Sequence, residues 1–157
     1  MKFKEFICFE AAVSQLQSTD RDSAIEELVT SLENAGKLEK SSLKSITKAI
    51  IKRENEASTG LGKGVAVPHV KHKAVDKVVA VVGRSEPGVD FSALDKQPVH
   101  SIILLISPVD NPDQHLMAME SIFRHLQQEK FRRFLKQCRT VEQIDDLLRE
   151  ADENPSL

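Results

Sequence analysis

The stretch Ser58-Thr59-Gly60-Leu61-Gly62-Lys63-Gly64-Val65-Ala66-Val67-Pro68-His69 sets the frame in which the rest of the chain is read. Three glycines in five residues predict a loop whose backbone reaches conformations closed to other residues. The run Val65 to Pro68 then reads as a short strand that Pro68 ends or confines to a sheet edge. His69 follows at once, so a stiff backbone aims one imidazole out of a flexible glycine loop. That is a good way to present a nucleophile.

Upstream, Leu43, Ile46 and Ile50 recur at helical spacing behind Ser41 or Ser42 as a cap, and the same stripe reaches Arg53. A guanidinium at the end of an apolar stripe points toward the core side, near the start of the glycine loop. It either covers the core edge with its stem while the head stays wet, or holds an anion; the residues alone leave both readings open. Downstream, Val70-Lys71-His72-Lys73 reads as a basic turn, solvated unless Lys71 and His72 assist an anion. Lys77 to Val82 and Ser101 to Ile106 lack a helical period and predict strands buried on both faces. Pro87-Gly88 between them marks a turn, and His100 is given no role. Asn111 as N-cap, Pro112 at the first helical position and Asp113 in the first turn predict a helix carrying Leu116, Met119, Ile122, Phe123 and Leu126. His115 falls in its first turn, where a strand's carboxyl end meets a helix N-terminus that favours anions. Taken alone, such a histidine is more often packing or surface than active, and His125 on the same helix is read as structural.

The flanks read as scaffold. Phe6 to Phe9 forms a short strand or extended lead-in. Thr19-x-x-Asp22 resembles a helix start for Ala24, Ile25, Leu28, Val29 and Leu32, with Gly36 as the stop. Phe131, Phe134 and Leu135 make an apolar face, and Thr140-x-x-Gln143 predicts a capping box for a last helix. Residues 152–157 are polar and predicted to fray. At 157 residues the chain suits one domain, with no internal repeat or linker. Lys and Arg total 22 against 24 Asp and Glu, so bulk electrostatics give no nucleic-acid partner. No apolar run approaches the roughly 20 residues needed to span a bilayer, and the N-terminus is a poor signal peptide. Cys8 and Cys138 lie far apart without metal spacing, as idle thiols in a reducing cytoplasm do. Absence of Trp and Tyr counts against an aromatic sugar platform.

Thr59-Gly60-Leu61-Gly62-x-Gly64-Val65-Ala66-Val67-Pro68-His69 resembles the active-site signature of the type-2 EIIA domains of the bacterial phosphotransferase system, the fructose, mannitol and nitrogen-regulatory EIIA domains. Lesser similarities run from the first helix to the last. The resemblance implies an α/β fold, a mixed central β-sheet flanked by α-helices on both faces in a single domain over residues 1–151, with 152–157 as a flexible tail. The residues themselves give only alternating helices and apolar strands. It further implies that His69 accepts a phosphoryl group from the phosphohistidine of HPr or an HPr-like donor. Arg53, in an Arg53-Glu54 pair sixteen residues ahead of the histidine, would bind phosphate. His115, in Gln114-His115-Leu116, would sit beside the phosphorylated ring. The amides of Gly62 and Gly64 would add donors to the phosphate; Lys63 carries over no family role. Neither metal nor cofactor is implied, since side chains supply the cations. Leu61, Val70 and Met117 are candidates for an apolar docking rim. The implied partners are a phospho-HPr donor, an EIIB-type acceptor or regulatory target, and transient contact with a membrane EIIC complex; nothing in these residues resembles an EIIB or EIIC domain.

Three other classes compete with this one. A metal-dependent hydrolase using His69, His72 and His115 lacks a carboxylate at recognised zinc spacing. A P-loop enzyme fails because Gly62-Lys63 is followed by Gly64 rather than Ser or Thr. The serious rival is a non-catalytic module of the same fold that regulates a kinase, transporter or transcription factor by docking.

Overall fold

The computed structural model describes all 157 residues. Its centre is β5 (Val99–Ser107), the apolar run expected to be buried on both faces. Side chains alternate along it as strand pleating requires: Ile102, Leu104 and Ile106 enter one core, Ile103 and Leu105 the other. One edge of β5 pairs antiparallel with β4 (Val79–Val89). The other edge pairs in parallel first with β2 (Val65–Ala66) and then with β3 (His69–Lys71). Those two are halves of one strand interrupted where Pro68 has no N–H to give. β1 (Gly60–Gly62) lies antiparallel to β2, completing a mixed five-stranded sheet.

Helices cover both faces. α1 (Arg21–Asn34) and α2 (Leu43–Glu56) put Ile25, Leu28, Ile46 and Ile50 onto the Ile102–Leu104–Ile106 face. α3 (Pro112–Leu126), α4 (Glu129–Gln137) and α5 (Val141–Glu153) put Ile122, Phe131, Ile144 and Leu148 onto the other. This is the α/β architecture that the resemblance implies. Ile7 and Val13 each make a single parallel bridge to β4, at Ala80 and Gly83, so the extended lead-in covers an edge that would otherwise expose unpaired amides.

Several local expectations change. Asp20, not Thr19, caps α1, its carboxylate accepting from Ser23 N. Ser42 caps α2 by position only, with no side-chain bond, after a 3-10 turn over Lys40–Ser42. The glycine segment is a β-hairpin rather than an open loop: Lys63 and Gly64 turn it with φ of 60° and 79°, the left-handed pair a two-residue hairpin needs. Val70 and Lys71 extend the strand begun at His69, so the basic turn starts only after them. Pro87-Gly88 is a bulge inside continuous β4, with Gly88 at φ 90°. On α3 the buried stripe is led by His115 and Ala118, and Leu116, one step round the helix, is exposed. Thr140 caps α5 as expected, but Gln143 reaches back to Arg139 N rather than to Thr140 N.

The C-terminal segment is not a frayed tail. Leu157 is 2% exposed within the α3–α5 core, and its carbonyl meets His125 Nδ1 at 2.7 Å. Asp152 accepts from the amides of Phe3 and Lys4 at 2.6 and 2.9 Å, tying α5 to the N-terminal segment. One apolar residue at the end of a polar stretch decides this, because burying its side chain offsets the ordering of a few residues. Leu157→Ala is therefore expected to lower the unfolding free energy by about 2 kcal/mol in urea titration. A curve superimposable on wild type would restore the frayed tail.

Candidate functional site

The site forms where β3, α2 and α3 converge at the carboxyl end of β5. His69 opens β3 opposite Leu105, with Leu105 N bonded to Pro68 O at 3.0 Å. In the pleat His69 shares the face of Val65, Val67 and Leu105, the face that carries α3. The break at Pro68 leaves the Val67 carbonyl facing the ring: His69 Nδ1 lies 2.8 Å from Val67 O. A carbonyl only accepts, so Nδ1 carries the proton and Nε2 keeps its lone pair. The histidine is half-buried rather than thrust from a flexible loop.

His115 lies across from it, ring centroids 5.8 Å apart and planes tilted by 44°. Asn111 caps α3 by accepting from Gln114 N, which brings the first turn against the end of β5. Ser107, the last residue of β5 and fully buried, holds His115 Nδ1 at 2.6 Å. Arg53 approaches from the last turn of α2, where its Nη1 donates to Ala57 O at 2.9 Å. Its charge is near enough to act on His69.

Glu54 is 2% exposed and accepts from Thr59 N at 2.9 Å and from the Thr59 hydroxyl. A buried carboxylate thus joins the end of α2 to the start of the hairpin, and Thr59 O in turn accepts from Val67 N at 3.3 Å. Sequence reasoning placed Glu54 only as Arg53's neighbour and gave Ser107 no role. Ser107 carried one usable signal, a hydroxyl closing an apolar central strand at its carboxyl end.

The predicted residues do not all meet. His69, His115 and Arg53 come together, whereas Gly62 and Gly64 lie elsewhere. Gly64 O accepts from His100 N and Ser101 N, and neighbouring Val65 pairs with Ser101. His69 pairs four residues further along β5, about 13 Å away at strand rise. The glycine amides are thus not donors at His69, because the hairpin folds back along the sheet. His72 is also apart, its Nε2 on Ser45 Oγ and its Nδ1 taking the amide of Ala74. Of the docking-rim candidates, Met117 and Leu61 are exposed and Val70 is half-buried. Leu116 and Val109 add exposed apolar surface around the start of α3.

Both site imidazoles resist protonation. Burial is the main cause of the lowered pKa at His69; Arg53 and Lys71 repel the imidazolium, while the Val67 carbonyl and Glu54 pull the other way. Burial again leads at His115, followed by repulsion from His69 and Lys71. Burial also lowers His125. From an ordinary value of 6.5, all three rings are neutral at pH 7. Unfolding then takes up protons, so the stability these neutral rings contribute is full above about 6.5 and lost as pH falls through the folded values. Urea midpoints should decline on acidification below that point, and His115→Gln should flatten the decline. A flat or rising midpoint there would contradict the neutral pair.

Residues 7–151 match the family described as "Phosphoenolpyruvate-dependent sugar phosphotransferase system, EIIA 2". The PTS system fructose-specific EIIABC component of Bacillus subtilis is 32% identical over 152 residues, 97% of this chain. The chain spans only 24% of that protein's length. The PTS system fructose-specific EIIA component of Haloferax volcanii is 31% identical over 133 residues, 85% of each chain. Nitrogen regulatory protein IIA-Ntr from Neisseria meningitidis has the same fold, with a TM-score of 0.81 at 27% identity over 92% of this chain and 97% of that one. No helix is long and apolar enough to cross a membrane. With a family match over nearly the whole chain and the fold to go with it, this chain belongs to the type-2 EIIA family of the phosphoenolpyruvate-dependent sugar phosphotransferase system.

Proposed function

We propose that the chain is a phosphohistidine carrier in which His69 Nε2 takes a phosphoryl group from phospho-HPr, or an HPr-like donor, and hands it to an EIIB-type acceptor or holds it as a regulatory signal. One observation carries this reading: a neutral, half-buried imidazole has its Nδ1 proton fixed on the Val67 carbonyl. Its other nitrogen is therefore the nucleophile, beside a second imidazole and a guanidinium. As the new Nε2–P bond forms, the donor's N–P bond breaks and its electron pair returns to the donor ring. Such a transfer is loose, so the protein's work is positioning and stabilising charge on the phosphoryl oxygens. Arg53 supplies the charge and the fork geometry. His115, steadied by Ser107, supplies a hydrogen bond to an oxygen. Glu54 holds Thr59, and through it the strand that presents His69.

The exposed apolar residues Met117, Leu116 and Val109 around the start of α3 form a rim that suits a group handed between proteins in the cytoplasm. The similar proteins bear fructose-specific and nitrogen-regulatory names, so the acceptor, an EIIB domain near a membrane EIIC or a regulatory target, separates transport from signalling. The test is incubation with labelled phosphoenolpyruvate, enzyme I and HPr. Acid-labile, base-stable label on the chain is expected. Its absence with a competent cognate HPr would leave a non-catalytic interaction module of the same fold.

A further inference from the structure

The far end of β5 from His69 carries a second polar feature that phosphoryl transfer does not use. Two adjoining cavities of about 250 and 360 Å³ share His100 and Lys136 and run between the Lys63–Gly64 turn, the Asp95–Pro98 loop and the outer face of α4. Six cationic side chains line them, Lys63, Arg84, Arg132, Arg133, Lys136 and Arg139, against the carboxylates of Asp95 and Glu86. Both carboxylates are already engaged. Asp95 accepts from the amides of Lys63 and Gln97 at 2.9 and 3.0 Å, and Glu86 pairs with Arg84 and, at 3.0 Å, with Arg139. Lys63, Arg132, Arg133 and Lys136 have no carboxylate partner.

This concentration is not the protein's average, since the whole chain carries more acidic than basic residues. It also runs against local helix stability, because Arg132 and Lys136 stand four apart on α4, where like charges repel. His100, which lines both cavities, gives its Nδ1 proton to Ser85 O at 3.0 Å, and its Nε2 has no protein partner. Val65 and Pro98 are the only apolar residues on the walls. The exposed apolar residues Leu61, Leu94, Val109, Leu116 and Met117 all lie outside them. A protein partner calls for an apolar anchor at the centre of its interface. A concave, cationic and almost wholly polar groove calls instead for a compact anion.

We propose that this groove binds a small, multiply charged phosphate compound, of the class of polyphosphates and phosphorylated metabolites, at a site separate from His69. The ammonium groups of Lys63 and Lys136 hold its oxygens, joined by the Arg132 guanidinium nitrogens left over from the bond that its Nη1 donates to Leu126 O at 2.8 Å. The test is calorimetric titration of the full chain with tripolyphosphate, followed by amide chemical shifts. Saturable binding to one site is expected, with shifts centred on Gly64, His100 and Ser101. It should weaken about tenfold or more in Lys63→Gln/Lys136→Gln and stay unchanged in Arg53→Gln. Both lysines are exposed, and matching urea curves would show that the double variant is folded. Absence of saturable binding would overturn the proposal. So would binding lost in Arg53→Gln but kept in the double variant, which puts the anion at His69. Tighter binding of a poly-glutamate peptide, with shifts reaching Leu61 and Leu94, would instead make this a protein surface.

Discussion

His69→Ala is expected to take up no detectable phosphoryl group from phospho-HPr while remaining folded. The side chain is half-buried and its one hydrogen bond within the protein is to Val67 O, so truncation removes the proposed nucleophile without opening the core. His115 does not replace it. It is the more buried of the two rings, its Nδ1 is held by Ser107 at the end of β5, and its centroid lies 5.8 Å from that of His69. His115→Ala should therefore still accept phosphate, more slowly, and the contrast between the two variants separates attack from assistance. Label persisting on His69→Ala would move the acceptor elsewhere and remove the basis of the mechanism.

The second large effect is expected at Arg53. Arg53→Ala should slow phosphoryl acceptance by roughly 10²- to 10³-fold, the usual loss when one preorganised charge facing the transition state is removed. Arg53→Lys should recover part of it, because the charge returns without the planar fork. Donor docking through the apolar rim should change little, so the loss should fall on turnover more than on apparent affinity. An independent readout comes from His69 itself. Arg53 is one of the groups depressing its ionisation, so its titration should move upward in Arg53→Ala. A loss of rate with no such movement would mean that Arg53 acts from further away than its place at the end of α2 implies.

Much of this was legible because it is local. Thr59 to His69 is a continuous signature, and the Asn111-Pro112-Asp113 start of α3 is written in adjacent residues. The double-sided burial of β5 shows as an unbroken run from Ile102 to Ile106. What escaped depends on pairing. The resemblance implies the amides of Gly62 and Gly64 as donors to the phosphate. Strand register then carries them back along β5, toward Ser101 and a different cluster of charges. Pro87-Gly88 has turn composition, yet β5 continues alongside and converts it to a bulge. Leu157 is a single apolar residue behind a polar run, and only its packing into the α3–α5 core shows its place. Glu54 and Ser107 act through partners five and eight residues away, Thr59 and His115, which no periodicity reveals.

The most direct measurement is nitrogen–phosphorus coupling in the ¹⁵N-labelled chain after phosphorylation through enzyme I and HPr. The expected result is a single phosphorus coupled to His69 Nε2, with Nδ1 still carrying its proton toward Val67 O. Phosphorus on Nδ1, on another residue, or on no histidine at all would contradict the assignment of His69 Nε2 as the phosphoryl carrier.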